Sequence, residues 1–420
     1  MRITRWLFSA GLFLVLAVYF AGQTAQASTV VVGTCKSGVQ FATIQAAVNA
    51  SPVGGTINVC PGTYPEQVTI NKNLTVKGIG SGNQNARIIT VPNGGLVTNA
   101  TGIYGDAIQA QVYVTGASVT ITGLTTDAAN NGGVCGSDPI GIYYQNSSGS
   151  ITRNSVINDV LPPADAGCQG GLGILVESTG TNSVSITNNH VENFSKNGIT
   201  VDGFGGPGLS TTISSNTAVG QGPTNGAAEN SIQVAYGASG SIVNNTVGGD
   251  VWGPDQFGDT GDAAAGILIY ASPAVTVKSN NVSQTQYGIA IVSVSGEAAD
   301  GAQVTNNVIS TTHLYDAIDL CSSNNTATGN TINGSDESAI HVDDTCTGAS
   351  AGNIVQKNTI NSACAGVLSG PVSGNILSPN TYYNTGSNVV TGSNVCIPAP
   401  VGPTKTGQAK SHGRFRPARP

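Results

Sequence analysis

The 420 residues carry 22 Asp and Glu against 15 Lys and Arg, and charged residues make up only 9% of the chain. Residues 28–404 hold all 22 acids but only 8 of the bases, a net charge of −14, while the last 16 residues carry five bases and no acid. An acidic body of this kind repels polyanions, which argues against nucleic acid and against an anionic membrane surface as partners.

Arg2 and Arg5 precede the apolar run from Trp6 to Phe20, and Ala25-Gln26-Ala27 offers a small-residue cleavage site. Residues 1–27 are therefore expected to be a secretory signal peptide. The run is short against the roughly 20 apolar residues a membrane span needs, and no other segment approaches that length, so membrane insertion is not expected. The mature chain is placed outside the cytoplasm, secreted into the extracellular medium or the periplasm. In an oxidising compartment the eight cysteines read as disulfides, and pairing in sequence order gives Cys35–Cys60, Cys135–Cys168, Cys321–Cys346 and Cys364–Cys396. No CxxC occurs, which weakens a Cys-ligated metal site.

Phe41 to Ala50 is the one convincing helical stretch of the mature chain, with Ile44, Ala47 and Val48 on one face. Gly54-Gly55, a strand through Ile57 and Val59, the turn Cys60-Pro61-Gly62 and strands around Val68–Ile70 and Leu74–Val76 follow. A short amphipathic helix ahead of a strand stack is expected to cap its end.

From there two short patterns interleave. An apolar residue, two spacers, an Asn, one residue and another apolar residue recur around Asn154, Asn189, Asn216, Asn245, Asn280, Asn307, Asn330, Asn358 and Asn375. Apolar residues two apart begin at Ile142, Ile174, Ile199, Ile232, Ile267, Ile289, Ile318, Ile340 and Val367. The spacing of 17 to 35 residues between successive Asn means one supersecondary unit stacked many times. The Asn residues are expected to form a hydrogen-bonded ladder at one turn, and the Ile residues one inward column.

The Asn ladder, the Ile column, the helical cap and the exported context resemble the right-handed parallel β-helix of the pectin-lyase-like superfamily, over roughly residues 35 to 397. The resemblance implies an all-β solenoid domain, 28–397, followed by a basic, Pro-containing tail, 398–420, that is expected to be disordered. The Gly62-x-Tyr64-x-Glu66 element is similar to the start of pectin methylesterases, but that family's downstream catalytic motifs do not occur. Many β-helix lyases imply an Arg or Lys base, and Arg87 and Arg153, the arginines of the coils, align with no acidic cluster. Polygalacturonase-like hydrolases carry a Gly-His-Gly that this chain lacks.

Insertions after Asn154, Asn216 and Asn245 lengthen the arc to the next Ile to 20, 16 and 22 residues, from a minimum of 9 to 11, and are expected to wall one side of the sheet. Aligned on the Ile ladder, two outward columns emerge. One runs Tyr143, Leu175, Thr200, Gln233, Leu268, Ala290, Asp319, His341; the other runs Gln145, Glu177, Asp202, Ala235, Tyr270, Val292, Cys321, Asp343.

Two clusters follow from that alignment. Asp319, His341 and Asp343 fall on adjacent rungs, with Asp319 and Asp343 about 8 Å apart at Cβ, a separation at which one carboxyl can protonate a leaving group while another activates water. They are the candidate catalytic residues; acidic turns of this kind also cap strands or hold Ca²⁺ structurally, so Ca²⁺ stands as a candidate ligand without a defined set of donors. Glu177 and Asp202 are adjacent in their column, and with Trp252 and Tyr270 they are the candidate substrate-binding residues, since aromatic rings beside carboxylates hold sugars. The sole methionine, Met1, and the lack of a His cluster leave no soft-metal ligand set.

Two functions remain open. One is an exported protein that binds a polysaccharide or cell-surface glycan in a groove without cleaving it. The other is a carbohydrate-active enzyme, a glycoside hydrolase more than a lyase, using carboxylates on adjacent coils. The oligomeric state is not legible.

Overall fold

A computed structural model describes residues 29–80, 86–204, 206, 208–224, 226–252, 264–312, 315–346, 350–392 and 396. The expected leader and basic tail lie outside the described residues. No helix among the described residues is long and apolar enough to cross a membrane.

Valine, isoleucine and threonine, whose branched side chains suit a pleated surface, make strands of two to twelve residues almost throughout. Each middle coil has three. One coil consists of Asn182–Thr187, His190–Phe194 and Asn197–Asp202; the next is Leu209–Ser214, Thr217–Thr224 and Asn230–Ala235. First strands build a 13-stranded sheet, and second and third strands share a 23-stranded one. Pairing between coils is parallel, so the chain is an all-β solenoid, a parallel β-helix.

Three inward columns form its core, and each repeats a sequence position. Ile151, Ile186, Ile213 and Ile242 stack in the first sheet. Val156, Val191, Ala218 and Val247 stack on the second strands. On the third strands the expected ladder is present in full register, from Ile142 through Ile174, Ile199, Ile232, Ile267, Ile289, Ile318 and Ile340 to Val367.

The Asn ladder sits at the corner between first and second strands. The backbone N–H of Asn189 donates to Asn216 Oδ1 at 2.9 Å, and Asn189 Nδ2 donates to Asn216 Oδ1 and to the Ile151 carbonyl. The pattern repeats coil after coil, which satisfies buried turn groups that would otherwise be orphaned. The residue before each Asn takes a left-handed backbone, as at Asn188 and Asn244. One expected member is misplaced. After Asn358 the ladder continues to Asn380, whose Oδ1 accepts the Asn358 N–H at 3.0 Å. Asn375 instead ends a second, shorter ladder with Asn325 and Asn353 at the turn ahead of the first strand. The local pattern fits both positions, and only the coil path separates them.

The helix Ile44–Ala50 starts at Thr43, whose hydroxyl accepts the Ala46 N–H, and buries Ile44, Ala47 and Val48 as its periodicity requires. Glu66 accepts the N–H groups of Ile44 and Gln45 at 2.7 and 2.9 Å, and Tyr64 donates its hydroxyl to the Cys60 carbonyl. The Gly-x-Tyr-x-Glu element therefore fastens the cap: its acid sits where the helix dipole and free N–H groups attract negative charge. All four disulfides pair as expected, with Cα–Cα distances of 5.6 to 5.8 Å.

Candidate functional site

The outward columns have the expected register, yet the face they form is largely covered. The reason lies at the corner between second and third strands. Every inward Ile follows a small residue: Gly141, Gly173, Gly198, Ser231, Gly266, Gly288, Ala317 and Ala339. A Cβ at Gly198 would lie 2.7 Å from the Ser231 carbonyl and 2.9 Å from the Phe194 ring, and one at Gly288 would lie 2.4 Å from the Ala317 carbonyl. This tight corner breaks the period of two, so the residue two before each Ile lands on the outer face. Ile140 and Leu172 pack with Tyr143 and Leu175 there, and Ala265 and Tyr287 pack with Leu268 and Ala290.

That corner brings in Asp316, an acid that the spacing puts on a turn flanking the cluster and outside both columns. Asp316, two before Ile318, meets His341 Nδ1 through its Oδ2 at 3.1 Å, and its Oδ1 accepts the backbone N–H and the hydroxyl of Ser338. Asp319 pairs with His341 across the rungs as expected. One ligating atom from each of Asp316, Asp319 and His341 lies within 4.8 Å of the other two. Asp343 Oδ1 and Oδ2 accept the N–H and hydroxyl of Thr345, which ties that carboxylate to its own turn.

Asp319 is 2% exposed and His341 5% exposed, and Tyr287, stacked on Tyr315 in one apolar cluster with the Cys321–Cys346 bridge, lies near Asp319 and Asp316. The three candidate catalytic residues are therefore side by side but not on an open groove. Burial, reinforced by Asp343, pushes the Asp319 carboxyl well above the usual range. Burial also raises Glu337 to about 9, with Asp316 adding to it. For His341 burial works the other way, but Asp316, Asp343 and Asp319 together outweigh it and hold the ring protonated up to about 10. The signal for Asp316 was its place immediately before the small residue.

Glu177 and Asp202 also stand level on neighbouring rungs. A loop from the first coils reaches back over them: Ile103 N–H donates to Glu177 Oε2 at 3.2 Å, and the Tyr104 hydroxyl donates to Asp202 Oδ1 at 2.8 Å. Tyr143 donates to Glu177 from below at 2.7 Å. Burial lifts Glu177 to about 7 against the pull of the Tyr143 hydrogen bond. Tyr104 packs on Phe204 and Tyr236, at 5.3 and 5.9 Å between ring centroids, and Tyr236 on Tyr270 at 5.5 Å. The result is a strip of rings along the stack, on which Phe204 is 48% exposed and Tyr104 and Tyr270 half-buried. The strip continues by Val294 towards a cleft of about 590 Å³ beside the Cys321–Cys346 bridge, with Ser293, Glu297, Asp300 and Ser350 in its walls.

Trp252 is elsewhere. Its indole N–H donates to the Gly226 carbonyl at 2.5 Å, and a Cβ on Gly226 would lie 2.8 Å from the Ala166 carbonyl. The three insertions thus stack on one another as a wall, and Trp252 holds that wall together instead of joining Glu177 and Asp202.

Residues 110–309 match the family described as right handed beta helix region. The chain is a right-handed parallel β-helix protein. Three solved structures illustrate the range of similar β-helices. The A-module of the mannuronan C-5 epimerase AlgE4 from Azotobacter vinelandii is 12% identical, with a TM-score of 0.42 over 84% of this chain and 93% of that one. The catalytic unit of a thermostable GH87 α-1,3-glucanase from Streptomyces thermodiastaticus is 14% identical, with a TM-score of 0.49 over 86% and 72%. The tailspike of E. coli bacteriophage HK620, in complex with a pentasaccharide, is 12% identical, with a TM-score of 0.49 over 80% and 62%. No curated protein matches the chain.

Proposed function

We propose that this β-helix protein is exported and binds a polysaccharide along the strip of Tyr104, Phe204 and Tyr270. The observation that carries the reading is the run of accessible rings beside Glu177 and Asp202, ending in the cleft at residues 293–300. Ring faces take up the apolar faces of sugars, and polar groups at their edges hold hydroxyls. The acidic surroundings favour a neutral glycan over a polyuronate. On affinity gels cast with a panel of neutral and acidic polysaccharides, the mature chain is expected to be retarded by a neutral one. Phe204→Ala with Tyr270→Ala is expected to weaken that retention by about tenfold or more, as loss of central aromatic anchors does. Retention unchanged in the double variant would remove the strip from the reading.

A second reading, a glycoside hydrolase acting through Asp319, is favoured by the Asp319 carboxyl, which burial pushes well above its usual range, lying beside His341. It requires the chain above the cluster to open for substrate. Release of reducing sugar by the wild type, abolished in Asp319→Ala/Asp343→Ala, would select it over binding alone.

A further inference from the structure

The cluster at residues 316–343 gathers four buried acids in a short stretch of the stack. Asp316, Asp319, Glu337 and Asp343 are all buried around one imidazole. Between Lys278 and Lys357 the sequence has eight Asp and Glu and neither Lys nor Arg. Buried acids without a close counter-charge tend to keep their protons, and a cation can take the place of those protons. A second observation points the same way: Asp319 Oδ1 is buried and has no hydrogen-bond partner. One carboxylate oxygen of Asp319, one of Asp316 and one ring nitrogen of His341 lie within 4.8 Å of one another.

We propose that Asp316, Asp319 and His341 bind one divalent transition-metal ion of the zinc or manganese class. Two carboxylate oxygens and a neutral imidazole nitrogen are donors that such ions accept in one coordination sphere, with the ring and Asp319 protons released to solvent on binding, whereas Ca²⁺ and Mg²⁺ prefer oxygen alone. The elements that carry the donors make the site rigid. Asp319 and His341 lie on paired strands, and Asp316 is fixed by the tight corner and by two hydrogen bonds from Ser338. A dication there places positive charge among the four buried acids, and it gives the buried Asp319 carboxylate a partner. The Tyr287–Tyr315 stack and the disulfide then serve as a dry wall around the metal.

The test uses the full mature chain stripped with a chelator and titrated calorimetrically with Zn²⁺, Mn²⁺ and Ca²⁺ in separate runs. One equivalent of Zn²⁺ or Mn²⁺ per chain is expected, with a higher melting temperature in the loaded protein. Asp319→Asn and His341→Gln are each expected to weaken uptake at least tenfold while keeping the wild-type circular-dichroism spectrum. Should either variant fail to fold, the wild type loaded with Co²⁺ is read by proton NMR, where one paramagnetically shifted imidazole signal is expected. Failure to take up Zn²⁺ or Mn²⁺, uptake that survives both substitutions, or a Co²⁺ complex without a shifted imidazole overturns the site.

Discussion

Glu177 has an ordinary carboxyl value of 4.5, and burial raises it to about 7 in the folded chain. Between those values the native state holds a proton that the unfolded chain has released, so stability falls as pH rises through that window. The shift corresponds to about 3 kcal/mol. Asp138, also raised to about 7 by burial and by Asp106, acts in the same direction. Melting temperatures are therefore expected to fall between pH 4.5 and 7, and Glu177→Gln should flatten part of that slope in calorimetric scans. At the same scale, Asn216→Ala removes the acceptor for two Asn189 donors and two donated bonds of its own. Buried groups left unpaired cost about 1–3 kcal/mol each, so a loss of about 2–4 kcal/mol is expected in denaturant titrations. The place of Asn216 in its ladder was legible because each coil repeats the same local hydrogen bonds. Asn375 was misread because the same short pattern occurs at two different corners.

Among the elements, the small-residue corner decides what the outer face presents. Gly198→Val places branched carbon against the Ser231 carbonyl and the Phe194 ring, and is expected to destabilise the chain by more than about 3 kcal/mol or to prevent folding. Soluble yield and urea midpoints check this. At the N-terminal cap, Glu66→Ala leaves two helix N–H groups without their carboxylate, with an expected loss of about 1–2 kcal/mol. Hydrogen exchange should then speed up in Ile44–Ala50 before it does in the central coils. The helix and its buried face were readable from a spacing of three and four residues. The partnership with Glu66, 22 positions from Ile44, was not, since nothing in either segment announces the other.

At the scale of the molecule, the solenoid buries three apolar columns and is fastened at both ends and twice between. Each disulfide closes 25 to 33 residues of sequence. A crosslink over such a loop stabilises by about 3 kcal/mol, chiefly through the unfolded chain. Scanning calorimetry with and without a phosphine reductant is expected to show a large drop in melting temperature, with each Cys→Ser pair accounting for a part of it.

Repetition is what made this fold readable. The inward Ile, the Asn ladder, the cap and the disulfide order all follow from rules that act within one coil or between successive coils, and a sequence displays such rules as periods. The state of the outer face follows no period. The tight corner turns Asp316 outward, and Trp252 is drawn to the insertions through Gly226. Tyr104 crosses 98 positions to reach Asp202. These contacts arise where segments distant in sequence share the same space, and only the folded chain adds Asp316 to the Asp319–His341 pair and buries all three.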